Sequence, residues 1–285
     1  MVEEHLRADL RDAHAVLAHF IGAHHPVCGI VLGSGLNPYA EHLVDANVLS
    51  YRDVPHMHVS TAAGHKGQFV LGRIPLTSTW VLCMQGRLHG YEGITSQDVA
   101  FPVWCMAQMG IDVLLTTNAA GAINPSFHVG DFCAITDHIN FTGRNPLVGS
   151  EPAQIRERFV PMAHAYDAEL LSVAQQVAQR HAITLRTGVY LGLGGPSFET
   201  AAEIRMFSAW GADTVAMSVV EEVIAARHMG MRVFGMSLIS NMACGVAGAD
   251  PNSAEVMETA ESCLDSFTTI IDGIIQSLVA NGCGQ

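Results

Sequence analysis

Leu6, Leu10, Leu17 and Ile21 recur at helical spacing and predict an amphipathic helix over residues 3–22. The apolar period then changes. Residues 29–32 form a short continuous apolar run that reads as a buried strand, and residues 68–74 and 78–84 read as two more. Thr95 and Asp98 stand at capping-box spacing ahead of a helix over 96–109. Further strands are predicted over 112–117, 131–138, 189–193, 212–218 and 232–239. Helices are predicted between them over 165–181, 200–210 and 219–229, with a long loop over 140–160. Val256, Met257, Ala260, Leu264, Phe267, Ile271 and Ile274 trace one long C-terminal helix.

Strands alternating with helices, without a repeat, linker or low-complexity segment, predict one α/β domain over residues 1–285. Its central sheet is expected to be mixed, largely parallel and flanked by helices, because continuous apolar strands are buried on both faces. A domain of this length can bury about three-quarters of its unfolded surface. Polar residues follow the predicted strand ends repeatedly, at Ser34, Arg87, Asn118, Glu199, Ser218 and Asn241. Open α/β sheets place their ligand crevice there.

Composition narrows the partners. Hydrophobic residues make up 49% and charged residues 14%, which fits a core-rich enzyme. The formal net charge of −13 argues against nucleic acid and anionic membrane surfaces, but leaves room for a small anion held by local donors. Seven cysteines without a CxxC pair, mostly in apolar segments, read as reduced core residues of a cytoplasmic protein. The acidic, polar start Met1-Val2-Glu3-Glu4-His5 does not read as a signal peptide, and no long uncharged apolar stretch reads as a membrane span. Fifteen histidines include the tight groups His24-His25 and His56-Met57-His58, yet no metal-ligand spacing accompanies them, so no metal is expected.

Four stretches carry candidate chemistry. Gly33-Ser34-Gly35-Leu36 follows a strand and offers backbone N–H groups and a hydroxyl to an anion. A dinucleotide fingerprint fails there because Pro38 fills the third glycine position, and a GxxxxGK[ST] loop is absent, which weakens an oxidoreductase reading. Gln85-Gly86-Arg87-Leu88-His89-Gly90-Tyr91-Glu92-Gly93 joins an arginine fork suited to phosphate with a histidine, a tyrosine and a glutamate. Small residues in Asn118-Ala119-Ala120-Gly121-Ala122 allow close backbone approach. In Gly194-Gly195-Pro196-Ser197-Phe198-Glu199-Thr200 an aromatic face stands beside a carboxylate, fit to stack on a ring and accept from its N–H edge. The alternative for Glu199 is a cap on the next helix.

Together with Gly64-His65, Met217-Ser218 and Ser240-Asn241, these stretches resemble, in order, the trimeric purine nucleoside phosphorylases, from about residue 29 to the last helix. The resemblance implies reversible phosphorolysis of 6-oxopurine nucleosides such as inosine and guanosine to free base and ribose 1-phosphate, by a homotrimer without a cofactor, inorganic phosphate being the co-substrate. It implies that Ser34, His65, Arg87, His89, Ser218 and the Ala119 N–H hold phosphate. Tyr91, Phe198 and Met217 line the sugar, with Phe159 supplied by a neighbouring subunit. Glu199 and Asn241 read the base, Val215 packs against it, and Ala120 and Gly121 adjoin it. Glu199, Asn241 and His89 are the implied catalytic residues.

The chain departs from that family's pattern in several places. Ser253 stands where a histidine usually meets the 5′-hydroxyl, which opens 5′-modified nucleosides such as methylthioinosine. Glu221 replaces a proline, the 141–158 loop is short, and Lys66 adds a cation beside His65. Met217-Ser218-Val219-Val220 and Asn241-Met242-Ala243 look like the xanthosine-type subgroup. A nucleoside-binding module without turnover is the rival from another class.

Overall fold

The structure, a computed structural model, describes residues 5–62 and 64–280, apart from the side chains of residues 253 and 254. In chain order the elements are α1 (His5–Ile21), β1 (Gly29–Leu32), α2 (Tyr39–His42), β2 (Val44–Ser50), β3 (Gln68–Arg73), β4 (Trp80–Gln85) and α3 (Ser96–Gln108). They continue as β5 (Val113–Ala122), β6 (Phe132–Asn140), α4 (Pro152–Ile155), α5 (Ala168–Arg180), β7 (Leu185–Gly192) and α6 (Ala201–Ala209). The chain then forms β8 (Thr214–Ala216), α7 (Val220–Met229), β9 (Arg232–Met242), α8 (Ser253–Ser262) and α9 (Leu264–Ala280).

The nine strands run in the order β2-β3-β4-β1-β5-β8-β7-β6-β9, and β9 also pairs with β5. That second pairing closes β5, β8, β7, β6 and β9 into a ring, which leaves no open edge on this side of the sheet. The sheet is mixed as expected. Pairs β1–β4, β1–β5, β5–β9, β6–β7 and β7–β8 are parallel, while β2–β3, β3–β4, β5–β8 and β6–β9 are antiparallel. One apolar layer packs α1, α3 and α7 on one face around Trp104. A second packs α5 and α9 on the other around Phe132, Phe234 and Phe267.

Three expectations change on folding. β5 and β9 do not stop at residues 117 and 239 but run through the small polar stretches 118–122 and 240–242, held there by pairing with each other. Backbone pairing overrides the loop-like composition. The strand expected over 212–218 shortens to Thr214–Ala216, leaving Met217 and Ser218 beyond its end. The single C-terminal helix is two, with an angle of 61° between Glu255–Ser262 and Leu264–Ala280. One straight rod could not serve both of its contacts: α8 lies along β9, with Val256 at the cavity, while Gly273 of α9 sits so close to Val177 that a Cβ would be 2.7 Å from it. No single helix among the described residues is long and apolar enough to cross a membrane.

Candidate active site

The cavity opens where the parallel part of the sheet changes partner. β1 pairs with β5 only as far as Thr116, and β8 pairs with it antiparallel from Gly121. Residues 117–120 therefore lack a neighbouring strand on that side, and a cavity of about 310 Å³ lies over Asn118, Ala119 and Ala120. It is lined by Ser34 after β1, Arg87, His89 and Tyr91 after β4, Ala119, Ala120 and Gly121 on β5, and Phe198 and Glu199 after β7. Val215, Met217 and Ser218 on and after β8, and Asn241 on β9, complete the wall. Every predicted site residue is on this wall except His65 and Phe159.

Local geometry explains why these residue types stand here. A Cβ on Gly33 would lie 2.6 Å from the Cα of Asn118, so only glycine lets the turn after β1 settle against β5. Gly195 has φ +61° and its Cβ would fall 2.4 Å from Met217 Sδ, so this turn too needs glycine. The β5–β9 register slips between Ala120 and Gly121, and past the slip Gly121 stands opposite Asn241. A bulge of this kind re-aims side chains beside a site.

Asn241 is fixed at both ends of its amide. Its Oδ1 accepts from Ser240 Oγ at 2.8 Å and its Nδ2 donates to the Met242 carbonyl at 3.0 Å, leaving one acceptor and one donor position for a ligand. Glu199 is 8% exposed and has no ion-pair partner among the described residues. Burial raises its carboxyl above the usual range, opposed by its own backbone amide. It does not cap α6. Thr200 does, accepting from Glu203 N at 3.2 Å while Glu203 reaches back to Thr200 N at 2.7 Å. Glu199 is thereby free for the cavity.

Arg87 is fully buried at 1% exposure, and its fork is engaged within the protein. Nε and Nη2 donate to Glu222 at 2.9 and 2.6 Å, Nη2 to Thr116 Oγ1 at 2.9 Å, and Nη1 to the Thr117 carbonyl at 2.6 Å. Glu222 thus neutralises the cation that lines the cavity. The His65, His89 and Tyr91 rings stack in series, with centroids 5.2 and 4.5 Å apart. His65 stands behind His89, its Nδ1 2.9 Å from the Arg87 carbonyl and its buried Nε2 without a partner among the described residues. Burial, with the His89 charge next, lowers His65 to about 4. Burial also lowers His89, against the hydrogen bond it donates to Glu92. Burial works against ionisation of Glu92, but hydrogen bonds from His89 and Thr61 outweigh it and hold the carboxyl at about 2. Ionised Glu92 only accepts, so the His89 Nδ1, 3.2 Å away, carries the proton.

Ser218 sits in a strained turn. Val219 has φ +71° and ψ −52°, and Val220 N donates to the Ser218 carbonyl at 2.8 Å, which closes a γ-turn of the rare positive-φ kind. Tyr190 holds it from beneath, donating to Ser218 O at 2.9 Å and accepting from Ser218 N at 3.2 Å. Sequence reasoning missed Tyr190, Glu222 and Thr116, because each falls inside an apolar run or helix where burial is the plain reading. Lys66 pairs with Glu41 at 2.6 Å, both largely exposed. Phe159 is 77% exposed and lies under Arg158, beside a second hollow rather than the main cavity. Ser253 opens α8, but its side chain lies outside the described residues. No group of three potential metal ligands occurs among the described residues.

A strand-end cavity of this make, on this mixed sheet, defines a class: the chain belongs to the phosphorylase superfamily, whose profile matches residues 28–276. Within it, the relatives are purine nucleoside phosphorylases. The chain is 45% identical to purine nucleoside phosphorylase 1 of Bacillus subtilis over 250 residues, 88% of this chain and 92% of the relative. It is 39% identical to the purine nucleoside phosphorylase of Bos taurus over 267 residues, 90% and 91% of the two chains. Among solved structures, Schistosoma mansoni purine nucleoside phosphorylase superposes in its adenosine complex with a TM-score of 0.87 at 34% identity, over 95% of this chain and 97% of that one. Its inosine complex gives a TM-score of 0.87 at 33% identity, over 94% and 95%.

Proposed function

We propose that the protein cleaves purine nucleosides by reversible phosphorolysis, giving free base and pentose 1-phosphate, with 6-oxopurines preferred. The observation that carries this reading is Glu199: a buried carboxylate without an ion-pair partner among the described residues, sharing one cavity with a pre-oriented amide and with Ser34, Arg87, His89 and Ser218. A buried carboxylate whose donor within the described residues is its own backbone amide is poorly compensated, so it calls for a ligand that donates.

In the reaction the C1′–N9 bond breaks, its electron pair goes to the purine, and a phosphate oxygen forms the new bond to C1′. Positive charge develops on the sugar and negative charge on the base. Phosphate held beneath C1′ stabilises the cation and captures it, so no covalent enzyme nucleophile and no cofactor are needed. As the C1′–N9 bond breaks, the base takes up a proton from solvent at N7; Asn241 accepts from that N7–H and donates to O6, where the negative charge collects. Glu199 accepts from N1–H and from the 2-amino group of guanine. Neutral His89 keeps its proton on Nδ1, leaving Nε2 as an acceptor for a hydroxyl of phosphate or sugar. Adenine puts an acceptor at N1 and a donor at position 6, so both base contacts would be mismatched. Such a site discriminates by orders of magnitude.

The test is phosphate-dependent base release over inosine, guanosine, xanthosine, adenosine and a 5′-methylthio nucleoside, with the wild type and Asn241→Asp. Release from inosine and guanosine that requires phosphate is expected, and the aspartate, which accepts from a 6-amino group, is expected to raise adenosine turnover relative to inosine. Binding without release would leave only a nucleoside-binding module. A dominant xanthosine or methylthio activity would move the preference to those substrates. The exposure of Phe159 outside the cavity supports a homotrimer in which a neighbour's Phe159 closes the sugar side, and a solution mass of one chain, 30.4 kDa, would overturn that. The described cysteines are all unpaired, which supports a reducing, cytoplasmic setting.

A further inference from the structure

Glu221 occupies the place where the resemblance expects proline, three residues past Ser218 and next to Glu222 on the first turn of α7. A second carboxylate so close to an anion site calls for a counter-charge. The fold supplies one from a distant segment. Arg144, in the loop after β6, donates from Nε to Glu221 Oε1 at 2.8 Å, and Ser96 Oγ donates to the same oxygen at 2.7 Å. The carboxylate is 8% exposed, so this pairing takes place largely out of water.

Arg144 is itself held. Its Nη2 donates to the Ile94 carbonyl at 2.9 Å, its N donates to Thr142 Oγ1 at 3.0 Å, and its carbonyl accepts from Asn140 Nδ2 at 3.0 Å. A Cβ on Gly90 would lie 2.7 Å from Arg144 Nε, so the guanidinium fills the space beside the one residue that separates His89 from Tyr91. Two acid–arginine pairs therefore meet on the first turn of α7: Arg87, on the cavity wall, with Glu222, and Arg144 with Glu221. Each cancels.

We infer that Arg144 is a positioning residue for the anion site: it balances the charge of Glu221 and braces the His89–Tyr91 turn, so that the proline replacement is compatible with phosphate binding. The inference rests on the proposed phosphorolysis. Removing the cation leaves an uncompensated negative charge near the phosphate, and removing the carboxylate leaves an uncompensated positive one. At low effective dielectric such a change is worth several-fold in anion affinity.

Steady-state kinetics of Arg144→Gln, Glu221→Gln and the double variant test this, with KM for phosphate and for inosine measured separately. Arg144→Gln is expected to raise the phosphate KM about fivefold and Glu221→Gln to lower it about twofold, with the double variant near wild type and the inosine KM little moved. Loosening alone raises KM in both single variants, so equal direction, or no change in either, overturns the inference. Should Arg144→Gln fail to fold, Glu221→Gln decides, since tighter phosphate binding cannot come from disorder. A wild type whose base release ignores phosphate would sink the proposed function instead, and is read before any variant.

Discussion

Tyr190 brings a neutral hydroxyl to the back of Ser218, where it donates to the carbonyl and accepts from the amide of the same residue. Burial pushes its phenol up to about 12, so the proton it donates stays in place. Val219, at φ +71°, gives the turn a conformation that a β-branched residue avoids, and the clamp helps to offset that strain. Tyr190→Phe is therefore expected to raise the phosphate KM about fivefold while costing about 1–3 kcal/mol of stability for the amide it leaves unsatisfied. In a Ser218→Ala background the further change in phosphate KM should vanish, since Tyr190 acts through Ser218; a change of the same size in both backgrounds would refute the link. Sequence alone could not single this tyrosine out, because Gly188-Val189-Tyr190-Leu191 reads as apolar strand. The cavity-lining residues were legible for the opposite reason. Ser34, Arg87, Glu199 and Ser218 interrupt apolar runs at strand ends, where packing does not require polar groups.

Among the elements, α6 bears most directly on base recognition because its cap follows Glu199 in the chain. The reciprocal bonds between Thr200 and Glu203 fix where the helix begins, and so where the preceding carboxylate stands. Thr200→Ala is expected to cost about 1 kcal/mol in urea unfolding and to raise the nucleoside KM more than the phosphate KM, with Thr200→Ser close to wild type. Equal effects on the two KM values would detach the cap from the base pocket. The capping boxes of α3 and α6 both stand in the sequence as threonine followed three residues later by an acid. β2 does not announce itself in that way. Its residues are mostly exposed, so no apolar alternation marks it, and it exists only because β3 offers an edge to pair with.

For the molecule as a whole, acid should be destabilising through groups clustered at the site. His65 falls from 6.5 when unfolded to about 4 when folded, and Glu92 from 4.5 to about 2. Both folded values are depressed, so the unfolded chain binds more protons as pH falls, and stability present above the unfolded values is lost below them. From about pH 6.5 down to about pH 5, His65 alone removes on the order of 2 kcal/mol, and His89, lowered in the same direction by burial, adds to it. Urea midpoints measured across that range should decline, and His65→Asn should flatten the curve. A midpoint that rises with acid would contradict the burial of these rings.

Most of the order of strands and helices, the buried faces and the polar residues after predicted strand ends, Ser34, Arg87, Glu199, Ser218 and Asn241, were set by the chain's own pattern, because hydrophobic period and strand-end polarity are local properties. Which side chains neutralise one another was not. Arg87 meets Glu222 across 135 positions and Arg144 meets Glu221 across 77, and no local pattern specifies partners that far apart. The ring closure through β9, the break between α8 and α9 and the strained turn at Val219 likewise arise only when distant segments compete for the same space.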